Sequence, residues 1–368
     1  MPVARGAALP LRYSRPVSER EGLEMETLSA FAELFRRQLE LSGVTPDESV
    51  VVLSRGESFP RHVDASLAAA RGIGATVEHV RIGSAGPDWV GLRTIAVPEL
   101  FEQPSAVEAM KAADLVVDLV FLLYAPQLHE ILAAATRVLT AFDPQENLER
   151  LFPDRSLRER VEVAEELING ASEMHITNAA GTDVTYKLNQ YGVVTEYGFN
   201  DTPGRWDLWP AGFLLTGGDD DGVDGKVVVA PGDALVLPWM QFVREPIEFT
   251  IEKGRIVDLR GGVEADVLSE YLAGFNDPDA YGVSHIGWGL NEKASWAALA
   301  TAPYGSIGMD SRSYYGNVMF STGPNIELGG NNMTAAHIDL PMRRCDLYLD
   351  GEPIIREGKI LMEQMQPR

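Results

Sequence analysis

Residues 115–141 read LVVDLVFLLYAPQLHEILAAATRVLTA. The run Leu115 to Leu123 has the length and apolar content of a buried strand. A helical stretch follows from Gln127 to Thr136, and a second short strand from Arg137 to Ala141. Working outward, the β-branched run Val50 to Leu53 reads as a strand, Val63 to Ala70 as a helix, Ala75 to Ile82 as a strand and Glu102 to Ala112 as a helix. Before them, Met25, Leu28, Phe31, Phe35 and Leu39 recur at three- and four-residue spacing, which predicts an amphipathic helix over residues 19–42, ended by Gly43 and Pro46. Strands alternating with short helices imply a mostly parallel sheet covered on both faces. The expectation is an α/β domain over residues 1–155. It lacks the glycine-rich phosphate-binding signatures of nucleotide folds, since Ser54-Arg55-Gly56-Glu57-Ser58 follows the first strand, so a nucleotide cofactor is not expected.

Beyond a helix from Leu157 to Asn169 the texture changes. Short β-rich segments at Val227–Val229, Ala234–Leu237, Ile247–Ile251 and Ile256–Leu259 are separated by glycine-rich turns, and Glu252-Lys253-Gly254-Arg255 marks a hairpin. The pattern recurs at Leu347–Leu349, Pro353–Ile355 and Lys359–Met362, joined by Asp350-Gly351 and Glu357-Gly358. A β-rich domain over residues 156–368, closed or nearly so, is expected to carry the chemistry.

Composition narrows the function. The chain has 368 residues, 45% of them hydrophobic, and a formal net charge of −23. That charge opposes a nucleic-acid surface, which needs excess positive charge against phosphates, yet leaves room for a local arginine cluster around a small anion. A single cysteine, Cys345, excludes an internal disulfide and a four-cysteine zinc site. No uncharged stretch is long enough to span a bilayer, and residues 1–13 lack a secretory h-region, so a cytoplasmic protein is expected.

Six histidines stand in the sequence, and His337-Ile338-Asp339 is the strongest local signal. On a strand, residues i and i+2 share a face, so His337 and Asp339 can present an imidazole and a carboxylate to one metal. His285, in SHIGWGLN (284–291), is the best third donor. Two histidines and a carboxylate leave coordination positions open, the arrangement of non-haem ferrous oxygenases. The plain alternative is a hydrogen-bonded strand histidine beside a surface aspartate, with the glycines around His285 serving only turns.

Other candidates are His175, near the polar turn of residues 178–183, which either faces the site or is structural; Tyr124, at the end of a first-domain strand, where ligands meet parallel sheets; Arg312 and Arg343, for an anionic oxygen or for surface ion pairs; and Trp206 with Trp209, as an aromatic wall or as core. No GxSxG or HExxH motif occurs, and Cys345 has no histidine near it in sequence.

The stretches GTDVT (181–185), SHIGWGLN (284–291), Gly316 to Gly323, and Gly329-Gly330-Asn331-Asn332 running into His337-Ile338-Asp339 resemble the thermophilic-type metallo-aminopeptidases. They resemble still more closely the oxygenase branch of that superfamily, the 2,5-dihydroxypyridine 5,6-dioxygenases of nicotinate degradation. The likeness covers most of the second domain in order. The peptidases hold two metal ions with several carboxylates and two histidines. Here His285 stands in place of a glutamate, Met319 in place of a histidine, an acidic position near Ser311-Arg312 is replaced, and the acid expected around Pro210-Ala211-Gly212 is missing. The resemblance therefore implies one Fe(II) per chain on His285, His337 and Asp339. It implies dioxygen and a small hydroxylated N-heteroaromatic ring as reactants, cleavage between ring carbons 5 and 6, and a homo-oligomer, at least a dimer. It also implies a base for the phenolic proton, with His175 as the candidate, and a first-domain helper at Tyr124 in place of a histidine. Arg312, Arg343 and Trp206 would bind substrate. Another iron-dependent oxygenase on the same scaffold, a metal-dependent aminopeptidase or related hydrolase, and a non-enzymatic binding module are the competing readings.

Overall fold

A computed structural model describes residues 17–84, 97–301 and 306–368; residues 1–13, from which the absence of export was read, lie outside them. Among the described residues, five parallel strands form the first sheet, in the order Thr76–Ile82, Ser49–Arg55, Leu115–Asp118, Arg137–Thr140, Trp206–Leu208. Leu115–Asp118 and Arg137–Thr140 are buried at every position, the pattern of a parallel sheet covered on both faces.

Two details differ from the sequence reading. The apolar run from Leu115 is not one strand to Leu123, because Asp118 ends it. The Asp118 carboxylate is wholly buried and accepts the backbone N–H groups of Val120, Phe121 and Leu122 and the Thr140 hydroxyl. A buried acid without a cation must be satisfied by such donors, and gathering three consecutive amides bends the chain into a tight turn. Phe121 takes φ 70° there, and a single 3₁₀ turn, Leu122–Tyr124, follows. The second difference is that the first sheet does not stop at residue 155. Its fifth strand, Trp206–Leu208, comes from the later part of the chain, and Trp206, Leu208 and Trp209 pack in the first core with Phe35 and Phe142.

Among the described residues, the β-rich part holds a two-stranded antiparallel sheet, Ala234–Leu235 with Gln241–Phe242, and two large antiparallel sheets. One has eight strands among the described residues, ordered Arg255–Gly261, Ile247–Glu252, Val223–Val229, Asp183–Lys187, Glu173–Asn178, Cys345–Leu349, Glu352–Arg356, Lys359–Ile360. The other has five, ordered Ile338–Met342, Val318–Thr322, Val283–Gly289, Phe213–Gly217, Val193–Glu196. The sequence predicts a closed or nearly closed sheet; the strand orders are open, and the two large sheets share one buried core, in which Ile176, Val227 and Phe249 of the first meet Ile286, Phe320 and Leu340 of the second. The three hairpins read from the sequence are present. Lys253-Gly254, Asp350-Gly351 and Glu357-Gly358 all have positive φ at both residues, the conformation whose twist matches its flanking strands.

Candidate metal centre

The site lies on the five-stranded sheet, and strand periodicity places it. Ile338, Leu340 and Met342 point into the core shared by the two antiparallel sheets, as do Ile286 and Trp288. Asp339 and His285 therefore point to the opposite face, and His337 joins them from the residue before the strand. Two glycines let the chain close around these groups. A Cβ at Gly287 would lie 1.8 Å from the Leu214 carbonyl oxygen, and one at Gly323 (φ +120°) would lie 2.3 Å from the Ala336 oxygen and 3.1 Å from His337 Nδ1. Gly287 is thus a close-approach residue in mid-strand and not a turn residue.

His285, His337 and Asp339 are all buried, and one ligand atom from each lies within 4.8 Å of the others. His285 Nε2 is 3.4 Å and His337 Nε2 3.5 Å from Asp339 Oδ1. Metal–ligand bonds near 2.1 Å place neighbouring donors roughly 3–3.5 Å apart, so the set fits one ion. Asp339 is fully buried and its Oδ1, the oxygen facing both imidazoles, has no hydrogen-bond partner, as expected of a carboxylate oxygen built to meet a cation.

The surroundings tune the three donors. Glu327, whose side chain is wholly buried, accepts from His285 Nδ1 at 3.2 Å; such a carboxylate fixes a ligating imidazole's tautomer and orientation. Burial lowers the His285 pKa, but the Asp339 and Glu327 carboxylates outweigh it and hold it at about 9. Arg312 Nη2 lies 2.7 Å from Asp339 Oδ2. Burial opposes ionisation of Asp339, yet this guanidinium, followed by the two imidazoles, keeps the carboxyl well below the usual range. Tyr271 brackets the His337 backbone, its hydroxyl accepting from the amide at 3.3 Å and donating to the carbonyl at 3.4 Å.

From the first domain, the turn organised by Asp118 carries the Tyr124 hydroxyl to 3.4 Å from His337 Nε2. Burial, followed by the negative charges of Glu327 and Asp339, pushes the Tyr124 pKa well above its ordinary value.

Tyr124, Arg312, His285, His337 and Asp339 are therefore brought together. His175 is not. It stands on Glu173–Asn178 in the eight-stranded sheet, between the inward-facing Met174 and Ile176, so it projects from the opposite face. There it contacts Asp183 at 2.8 Å and stacks on Tyr348. Arg343 lies over Trp296 and donates to the Gly232 carbonyl. Trp206 is core, its Nε1 donating to Thr140 and its ring edge-on to Phe121; Trp209 is fully buried with Nε1 on the Leu148 carbonyl. Met319 packs with Phe213 and Leu215 as an apolar patch of the site sheet. Sequence reasoning missed Glu327 and Tyr271. The only signal for Glu327 was its place between two glycine stretches already singled out, and Tyr271 offered none.

Comparison with known proteins agrees with this geometry. The model of the family described as "NicX: 2,5-dihydroxypyridine 5,6-dioxygenase" matches residues 30–362. A 2,5-dihydroxypyridine 5,6-dioxygenase of Pseudomonas putida KT2440 is 42% identical over 334 residues, covering 89% of this chain and 95% of the relative. The solved structure of 2,5-dihydroxypyridine dioxygenase from Pseudomonas putida KT2440 matches with TM-score 0.88 and 40% identity, covering 92% and 99% of the two chains. AmpT from Thermus thermophilus matches with TM-score 0.60 at 14% identity, over 90% of this chain and 99% of that one, a likeness of fold alone.

Proposed function

The chain belongs to the 2,5-dihydroxypyridine 5,6-dioxygenase family, and we propose that it uses dioxygen to cleave the bond between carbons 5 and 6 of 2,5-dihydroxypyridine or a close hydroxylated N-heteroaromatic ring, giving an N-formylmaleamate-type product. The observation that carries this reading is the buried convergence of His285, His337 and Asp339, one ligand atom of each lying within 4.8 Å of the others. His285, His337 and Asp339 would hold one Fe(II) per chain, which would supply redox chemistry toward dioxygen at a centre with positions left open beside these three donors.

The chain's own residues do the rest. Glu327 holds His285 in register, and Arg312 occupies the second oxygen of Asp339 while keeping that carboxylate ionised. Tyr124 retains its proton at neutral pH, so it serves as a hydrogen-bond donor beside His337 and not as the base. Phe213, Leu215 and Met319 supply an apolar wall against water. Arg312 also speaks against the hydrolase reading: a two-metal site needs free carboxylate oxygens for both ions, and here a fixed positive charge takes the outer one.

We further propose a homo-oligomer, at least a dimer, as the family resemblance implies. No helix among the described residues is long and apolar enough to cross a membrane, and the lone cysteine is buried and unpaired. These features support the proposed cytoplasmic location.

The test is oxygen consumption by anaerobically purified protein loaded with one ferrous ion. Uptake of one dioxygen per 2,5-dihydroxypyridine is expected, abolished in His337→Ala together with iron retention. Binding of two zinc ions with peptidase activity and no oxygen uptake would sink the proposal.

A further inference from the structure

Ala234–Leu235 and the two residues after it run beside Ile338–Met342, the strand of the site sheet that carries Asp339. Side chains alternate there at first. Leu235 belongs to the core shared by the two large sheets, and Val236 to a separate cluster with Trp296 and Leu299. On an unbroken strand Leu237 would follow Leu235 into the shared core. It does not. The Val236 N–H donates to the Asp339 carbonyl at 3.0 Å, and Leu237 is itself bridged to Asp339 in the antiparallel sense. Two successive residues thus oppose one, which is a β-bulge, a device that re-aims a side chain. Residues opposed across an antiparallel pair share a face, with Cβ atoms about 4.5–5.5 Å apart. Leu237 therefore stands next to Asp339 on the ligand-bearing face.

Its surroundings agree. Leu237 is 5% exposed, yet among the described residues it belongs to none of the apolar clusters. A leucine withdrawn from water ordinarily touches several apolar side chains, so this one has hydrocarbon to offer at the metal site. The bulge also supports Arg312. A Cβ at Gly308, the residue that opens the short helix Met309–Arg312, would lie 3.0 Å from Val236 Cβ. The same bulge thus fixes both neighbours of Asp339: the guanidinium, 2.7 Å from Oδ2, and the leucine opposite its backbone.

We propose that Leu237 is a specificity-determining residue, an apolar contact for the ring at the metal centre that limits how large a ring the site accepts. This rests on the ring-cleavage reading and deepens it. The ring carbons that bear no oxygen are stabilised by a surface that removes them from water. A branched side chain held beside a metal ligand supplies that surface at a fixed distance, so a substituent directed at it collides. One methylene against a fixed apolar wall discriminates by about 10–200-fold.

The experiment is anaerobic equilibrium titration of iron-loaded wild type, L237A and L237V with 2,5-dihydroxypyridine and its C-methyl derivatives, followed by oxygen uptake with each ring. In L237A the affinity for the unsubstituted ring falls about fivefold, while that for at least one methyl derivative rises at least about tenfold. L237V shows the same opposed changes at smaller size, and supplies the comparison if L237A does not fold. A leucine that only holds the bulge would lower every affinity together. An equal fall for all rings, or no change for any, with oxygen uptake intact, overturns this assignment alone. Opposed changes in a protein whose wild type takes up no oxygen overturn the ring-cleavage reading and leave this one standing. A wild type that binds none of the rings overturns both.

Discussion

The first sheet and the site sheet place functional side chains in opposite ways. Strands Leu115–Asp118 and Arg137–Thr140 are packed on both faces, so nothing in mid-strand is free to meet a ligand. Tyr124 has to be delivered by a turn beyond the strand end, held there by the buried Asp118. Four of the five strands of the site sheet are also buried at every position, but only one face is hydrocarbon core; the other carries His285 and Asp339 in mid-strand. Metal ligands held within a paired sheet gain rigidity from neighbours on either side. The partner that comes from the other domain is fixed instead by the hydrogen bonds of a buried turn.

That contrast can be broken first at Glu327. Glu327→Gln keeps the side chain's shape but weakens the acceptor that orients His285 Nδ1–H. Iron affinity is expected to fall about 10–100-fold, measured by chelator competition, with the circular dichroism spectrum unchanged. A change under twofold would mean that the strand alone fixes the imidazole.

The delivered side is tested by Tyr124→Phe, which removes one hydroxyl. Iron should remain at one per chain while kcat falls roughly tenfold, a hydrogen bond's worth of about 1.4 kcal/mol. Loss of iron in that variant would move Tyr124 among the groups that hold the metal. The smallest effect is expected from His175→Ala, on the outer face of the other sheet. Its kcat/KM should stay within about twofold of wild type and its stability within about 0.5 kcal/mol, as for surface substitutions generally; a tenfold loss of activity would return His175 to the site.

Much of this was legible in the sequence because it depends on local periodicity. The alternation of strands and helices before residue 155 announces a parallel sheet. The Lys253-Gly254, Asp350-Gly351 and Glu357-Gly358 pairs announce hairpins through the positive φ they tolerate. His337 and Asp339 announce a shared face through a spacing of two. Where local rules were read too literally, the reading failed. Leu115 to Leu123 has the composition of one strand, but composition does not show that Asp118 will gather three amides. Trp206 sits beside Arg205 in a polar stretch and was a fair candidate for an aromatic wall, until the strand it begins joined the first sheet.

Sequence alone thus determined the fold class and the His337/Asp339 pair, since both follow from side-chain type and short spacing, while His285, singled out as a third donor, was reached as a ligand through the family resemblance. Only the tertiary structure decided which groups surround those ligands. Glu327, Arg312, Tyr271 and Tyr124 come from segments up to 213 residues away in the chain. Their meeting depends on how two antiparallel sheets share a core and how one strand crosses back into the first sheet, and no local pattern encodes that. Coulomb and hydrogen-bond energies act over ångströms in space, whatever the separation along the chain.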